Sequence, residues 1–167
     1  MHFSILSILF LTSKVIADGQ KIVDAIEEIA STTTSLNQTV GMARHPPKLP
    51  PILTLSTKLL LNINTGIHTA SSSANLTLTE TITIAISTQN LVSTVESTLD
   101  TIVGAKPKFD HLLFSPLILL NLVEEKSATD KFSVAIIGKI PADFQEFARQ
   151  LVAPVDTAFE AAIAVYE

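Results

Sequence analysis

The sequence predicts an all-α fold: a single-domain bundle of about five amphipathic helices around an apolar cavity or tunnel. Three observations carry that expectation. Aliphatic side chains recur at the spacing of one helix face in successive stretches along the chain. Proline, glycine and serine cluster between those stretches, where helices end. Apolar residues make up 47% of the 167 residues while aromatics make up 5%. Together with a mean hydropathy of +0.43, this is more aliphatic surface than one core uses.

The first helix is expected from Asp18 or Gly19 to about Val40, with Ile22, Ala25, Ile26, Ile29, Leu36 and Val40 on one face and Thr33 amid them. Gly41 and the run Arg44-His45-Pro46-Pro47-Lys48-Leu49-Pro50-Pro51 end it in a stiff loop, because proline cannot continue a helix. The second helix, from about Pro51 to Ala70, carries Ile52, Leu55, Leu59, Leu60, Ile63 and Ile67, with Ser56 interrupting the stripe. Ser71-Ser72-Ser73 breaks the pattern. Thr77-Leu78-Thr79-Glu80 matches a capping box, so a third helix is placed from Leu78 to Val103 and closed by Gly104. Its stripe is Ile84, Leu91, Val92, Val95, Leu99 and Ile102.

A short helical approach up to Phe114 precedes a fourth helix from Pro116 to about Gly138. Ser115 is read as its N-cap and Pro116 as its first helical residue. The first two turns are apolar almost all round, the pattern of a helix buried on every side. Lys139-Ile140-Pro141 opens the last helix, which runs to about Tyr166 with Phe144, Phe147, Ala148, Leu151, Val155, Ala158, Phe159 and Ala162 along one side.

Residues 1–17 read as a signal peptide. Phe3 to Leu11 is a short apolar run and Val15-Ile16-Ala17 suits signal peptidase, leaving a helical domain over 18–167. The run is too short to span a bilayer, and no apolar tail for a lipid anchor follows Glu167. A secreted, extracellular chain is therefore expected. Its sequons, at Asn37 and Asn75, lie near predicted helix ends where a glycan is tolerated.

The net charge of −5 and the lack of clustered Lys and Arg exclude nucleic acid as a partner. With no cysteine, disulfides, zinc thiolates and thiol catalysis fall away together. No glycine pair flanks a serine as a nucleophile elbow requires. His45, His68 and His111 stand singly, and no phosphate loop occurs. Glu124-Glu125 and Asp143 have no partner at metal-ligand spacing and read as solvated faces. No catalytic residue, metal or cofactor is implied, and the chain is not expected to be an enzyme.

Polar residues on the stripes, Thr33, Ser56, Thr88 and at a margin Gln89, either bond the carbonyl one turn back or turn into an apolar cavity and hydrogen-bond a lipid carboxylate. Leu53, Leu60, Leu61, Ile82 and Ile86 lie off the stripe centres. At roughly 25 cal/mol per Å² of apolar area, something covers them: protein, a partner chain as in a homodimer, or lipid.

A leader is followed by an opening helix with Ile22, Ile26 and Ile29, by Ser/Thr-rich middle helices, by Lys106-Pro107-Lys108-Phe109, and by Val155-Asp156-Thr157-Ala158-Phe159-Glu160-Ala161-Ala162-Ile163. In this order and spacing the chain resembles, over nearly all of its mature length, the fungal hydrophobic surface-binding protein A family, also called cell-wall galactomannoproteins. It departs from wall-anchored members in lacking a Ser/Thr-rich C-terminal tail. The resemblance implies a compact helical bundle that takes fatty acids or other lipids into its interior, long-chain and polyunsaturated ones such as arachidonic acid included. It also implies adsorption to hydrophobic surfaces outside the cell.

On that reading the lipid-binding residues are Ser56, Leu59, Ile63, Thr88, Gln89, Phe114, Leu117, Leu120, Phe144, Leu151 and Phe159. The alternatives are an adhesin that coats hydrophobic solids and recruits a secreted hydrolase, and a structural cell-wall mannoprotein.

Overall fold

The structure, a computed structural model, describes residues 4–42 and 49–167, with side chains described from Asp18 onward. The leader assigned to residues 1–17, His45 and most of the proline loop therefore fall outside the residues or side chains described. Among the described residues there are five helices and no strand: α1 (Ser4–Gly41), α2 (Leu49–Ser72), α3 (Leu78–His111), α4 (Ser115–Ile137) and α5 (Ala142–Tyr166).

Helix α1 begins at Ser4 rather than near Asp18, and three further helix boundaries differ from expectation. Helix α2 begins at Leu49, so Pro50 and Pro51 occupy its first turn, where a missing N–H costs nothing. Helix α3 runs on through Gly104 and Pro107 to His111. Pro107 faces solvent while Ala105 and Phe109 are buried, Phe109 completely, and that burial offsets the lost helical hydrogen bond. Ser115 is not an N-cap. Phe114 holds that position without a side-chain hydrogen bond, and the Ser115 hydroxyl instead donates to Asp110.

The expected capping box at the start of α3 forms. The Thr77 N–H donates to Glu80 Oε2 at 2.8 Å, and the Glu80 N–H donates to Thr77 Oγ1 at 3.3 Å. The α3–α4 corner is a Schellman turn: Phe114 N–H bonds the Phe109 carbonyl at 2.8 Å and Leu113 N–H bonds that of Asp110 at 3.0 Å. Leu113 takes the left-handed position with φ 60°, which glycine normally fills.

The helices close into a ring in the spatial order α1, α2, α4, α5, α3, back to α1, with α3 and α4 just touching across it. Consecutive helices α2 and α3 are not neighbours. The segment between them reaches across one end of the bundle to the α4–α5 corner. Leu76 N–H donates to the Lys139 carbonyl at 2.8 Å, and Lys139 Nζ donates to the Ser73 carbonyl at 2.8 Å. At the chain's end, Tyr166 Oη donates to the Ile102 carbonyl on α3 at 2.7 Å.

In such a ring every helix keeps an outer face, and this overturns the expectation that α4 starts buried all round. Ile118 and Leu122 point inward, whereas Leu120 is 52% exposed and Val123 46%.

Candidate apolar binding cavity

The inward faces meet along the bundle axis without filling it. A cavity of about 470 Å³ opens between α3, α4 and α5, inside the usual range for small-ligand sites. From α3 it is lined by Leu78, Thr81, Ile82, Ile84, Ala85, Thr88, Leu91, Val92 and Val95, and α4 adds Thr129, Phe132, Ser133, Ile136 and Ile137. Phe144, Phe147, Ala148, Leu151, Val152, Val155 and Asp156 come from α5, with Ile140 from the corner and Ile26 from α1. Leu78, Ile82, Phe144 and Phe147 are 50%, 53%, 39% and 60% exposed. They form a greasy rim at the starts of α3 and α5.

Two smaller spaces continue inward. One of about 40 Å³ shares Leu91, Val95, Thr129 and Phe132 with the large cavity, and adds Thr33, Leu59, Ile63, Thr98, Leu99, Glu125 and Phe159 among others. The innermost, about 10 Å³, lies among Leu36, Val40, Ile52, Ser56, Ile102, Phe109, Ile118, Asn121, Leu122 and Glu125. Phe132 stands between the outer two, its ring laid against the backbone of Gly66 on α2.

The expected lining residues distribute unevenly over these spaces. Thr88, Phe144 and Leu151 line the large cavity, Leu59, Ile63 and Phe159 the middle space, and Ser56 the innermost. Gln89, Phe114, Leu117 and Leu120 line none of the three. Gln89 and Leu120 are exposed, and Phe114 and Leu117 are half-buried. The expectation placed the cavity beside the apolar start of α4, but there Ile118 and Leu122 pack inward and leave only the smallest of the three spaces. The void sits beside its second half, where Thr129 and Ser133 replace larger side chains. Ile82, off its stripe centre, was the sequence's visible sign of the rim.

Polar groups are few here and none of the lining residues is basic. Thr33, Thr81 and Thr98 return their hydroxyls to carbonyls one turn back, at 2.8, 2.9 and 2.7 Å. Asp156, at the cavity's edge in the middle of α5, has its carboxyl raised above the usual range by partial burial and by the neighbouring Asp130 carboxylate, which accepts a hydrogen bond from its protonated form and repels its charged one, against the pull of Lys126. Lys126 lies 3.2 Å from Asp130 and 3.8 Å from Asp156.

Glu124 and Glu125 separate sharply, which corrects the reading of both as solvated. Glu124 is exposed, but Glu125 is 4% exposed. Burial pushes its carboxyl up to about 7; the Ser56 hydrogen bond opposes this and the Glu124 charge adds to it. No sequence signal distinguishes the two neighbours except helical phase: Glu125 falls on the Ile118–Leu122 face.

No group of His, Asp or Glu that could hold a metal occurs among the described residues, and among them no helix is long and apolar enough to cross a membrane.

The fold and sequence both have known counterparts. Cell wall mannoprotein 1 of Aspergillus fumigatus is 26% identical over 145 residues, covering 87% of this chain and 51% of that protein. That of Aspergillus flavus is 26% identical over 149 residues, 89% and 54% of the respective lengths. The chain thus spans about half the length of these relatives.

Among solved structures, Afmp4p in complex with palmitic acid superposes with a TM-score of 0.84 at 22% identity, over 89% of this chain and 99% of that one. Ligand binding domain 1 of the Penicillium marneffei MP1 protein, complexed with arachidonic acids, gives 0.82 at 17% identity, over 86% and 95%. Domain 2 of the same protein, complexed with multiple arachidonic acids, gives 0.82 at 17%, over 90% and 95%. These confirm the all-α bundle. The sequence profile of the family described as hydrophobic surface binding protein A matches residues 19–138, and the chain belongs to that family.

Proposed function

We propose that this protein is a secreted, non-enzymatic lipid-binding protein that holds a long-chain fatty acid in the cavity between α3, α4 and α5. The observation that carries this reading is the cavity itself: about 470 Å³, walled by aliphatic and phenylalanine side chains, and reached through an apolar rim. Burying an acyl chain there removes apolar surface of both partners from water, at roughly 25 cal/mol per Å². The palmitic and arachidonic acids held by domains of the same fold support it. Thr81, Thr88, Thr129 and Ser133 supply the neutral polar atoms of an otherwise apolar wall.

Secretion requires removal of residues 1–17, and Asn75, exposed between α2 and α3, is the sequon better placed for a glycan. Asn37 is half-buried, with its side-chain amide donating to the Ser97 hydroxyl at 3.2 Å. Native mass spectrometry of delipidated protein, before and after adding palmitic and arachidonic acids, tests the reading. A discrete mass increase is expected, and no adduct with either acid sinks it.

A second reading, adsorption to hydrophobic surfaces, is favoured by one observation. Leu78, Ile82, Phe144 and Phe147 leave a contiguous apolar rim in solvent. Replacing Ile82 and Phe147 by serine should then reduce adsorption to polystyrene.

A further inference from the structure

Three polar side chains meet where the apolar interior ends. Asn121 and Glu125, one turn apart on α4, border the innermost space together with Ser56 of α2. The Ser56 hydroxyl is close enough to the Glu125 carboxyl to hold its value down against burial. Asn121 Nδ2 and Glu125 Oε1 are both buried and have no hydrogen-bond partner. One is a donor, and the other accepts, or donates when protonated. Buried polar atoms left in this condition are costly, so native proteins pair them. Glu125 also borders the middle space, which in turn shares Leu91, Val95, Thr129 and Phe132 with the large cavity. The unpaired atoms thus stand at the inner end of a line of three spaces that begins at the rim.

The large cavity is lined by no comparable pair: the other buried unpaired oxygen, Glu80 Oε1, packs against Gly19 of α1 and is not part of that lining. No lysine or arginine lines the large cavity, and its one charged residue, Asp156, is acidic. The nearest cation, Lys126, does not line the cavity and is already engaged by Asp130 at 3.2 Å and Asp156 at 3.8 Å, so an ionised head gains no free counter-ion there. Nor can it pass inward, because a buried carboxylate without compensation is expensive. An uncharged head can: a hydroxyl accepts from Asn121 Nδ2 and exchanges a hydrogen bond with Glu125 Oε1, and a protonated carboxyl does the same through its two oxygens.

We propose that Ser56, Asn121 and Glu125 form a deep polar subsite for the uncharged head of a single-chain lipid, a long-chain alcohol or a protonated fatty acid, whose tail lies outward along the cavity. The proposal rests on the lipid-binding reading above. A space of about 10 Å³ otherwise suits one water molecule, so a water-only site is an explicit outcome of the test.

The test uses the full chain, delipidated, with displacement of a fluorescent fatty acid by hexadecanol and by hexadecane, which has no head. Hexadecanol is expected to displace at about tenfold lower concentration, the worth of a hydrogen bond made in a dry site. In Asn121→Leu that gap should close while hexadecane is unchanged. A gap that persists in the variant overturns the subsite, because the head then lies at the rim and the inner space holds water only.

The unmodified protein gives an independent readout by carbon NMR of palmitate labelled at the carboxyl. An inward head stays protonated to above about pH 7, whereas one in solvent titrates near the ordinary carboxylic range of about 4–5. Titration in the ordinary range overturns the proposal even if the variant fails to fold. Failure of every probe, hexadecane included, to bind overturns the lipid reading itself and the subsite with it.

Discussion

The ring of Phe132 lies on the backbone of Gly66, where an added Cβ would come within 2.8 Å of Cε2 and 3.1 Å of Cζ. Phe132 also borders both the large cavity and the middle space. Gly66→Ala should therefore push the ring toward the cavities. Overpacking of this kind costs about 1–3 kcal/mol, and thermal unfolding should report it. Long acyl chains should lose affinity more than short ones in the variant, and equal losses would contradict the placement of Phe132 between the two spaces.

Glu125 gives a pH dependence of defined sign. Its folded value, about 7 against an ordinary 4.5, is raised, so the folded chain holds a proton that the unfolded chain has released. The neutral carboxyl is without penalty below about pH 4.5; stability falls as pH rises through the interval and levels off above about 7. The full loss is about 3 kcal/mol. Glu125→Gln should remove this fall between pH 5 and 8, measured by urea unfolding at each pH. An unchanged slope would mean that Glu125 ionises freely in the folded protein.

Leu113, 86% exposed at φ 60°, carries left-handed strain of about 1–2 kcal/mol, and its side chain gains little by burial. Leu113→Gly relieves that strain at an entropic cost of about 0.5–1 kcal/mol. A net stabilisation of roughly 0.5–1 kcal/mol is expected in the unfolding midpoint.

Phe159 and Phe144 should separate core from rim. Phe159 is 4% exposed and Phe144 39%. Phe159→Ala should cost about 3–5 kcal/mol, whereas Phe144→Ala should cost well under half of that and act mainly on lipid affinity. Similar destabilisation at both positions would place Phe144 in the core instead.

The helices and much of their order were legible because each carries its own evidence: the period of Ile22, Ile26 and Ile29, the Thr77–Glu80 box, the proline at 116. Such features act within a few residues, so sequence alone determines them. Boundaries held by distant contacts were not legible. The passage of α3 through Pro107 depends on what buries Phe109.

The sequence also showed an aliphatic surplus, part of which, Leu61, Ile82 and Ile86, stays exposed on the chain. Where the void lies was decided by the tertiary structure, because it depends on which helices become neighbours. The ring order sets α2 apart from α3 and turns Leu120 outward. It leaves the smaller side chains of α4, Thr129 and Ser133, facing α3 and α5. The same order buries Glu125 and exposes Glu124. Adjacent residues on a helix are 100° apart, and only the positions of the surrounding helices decide which of the two meets water.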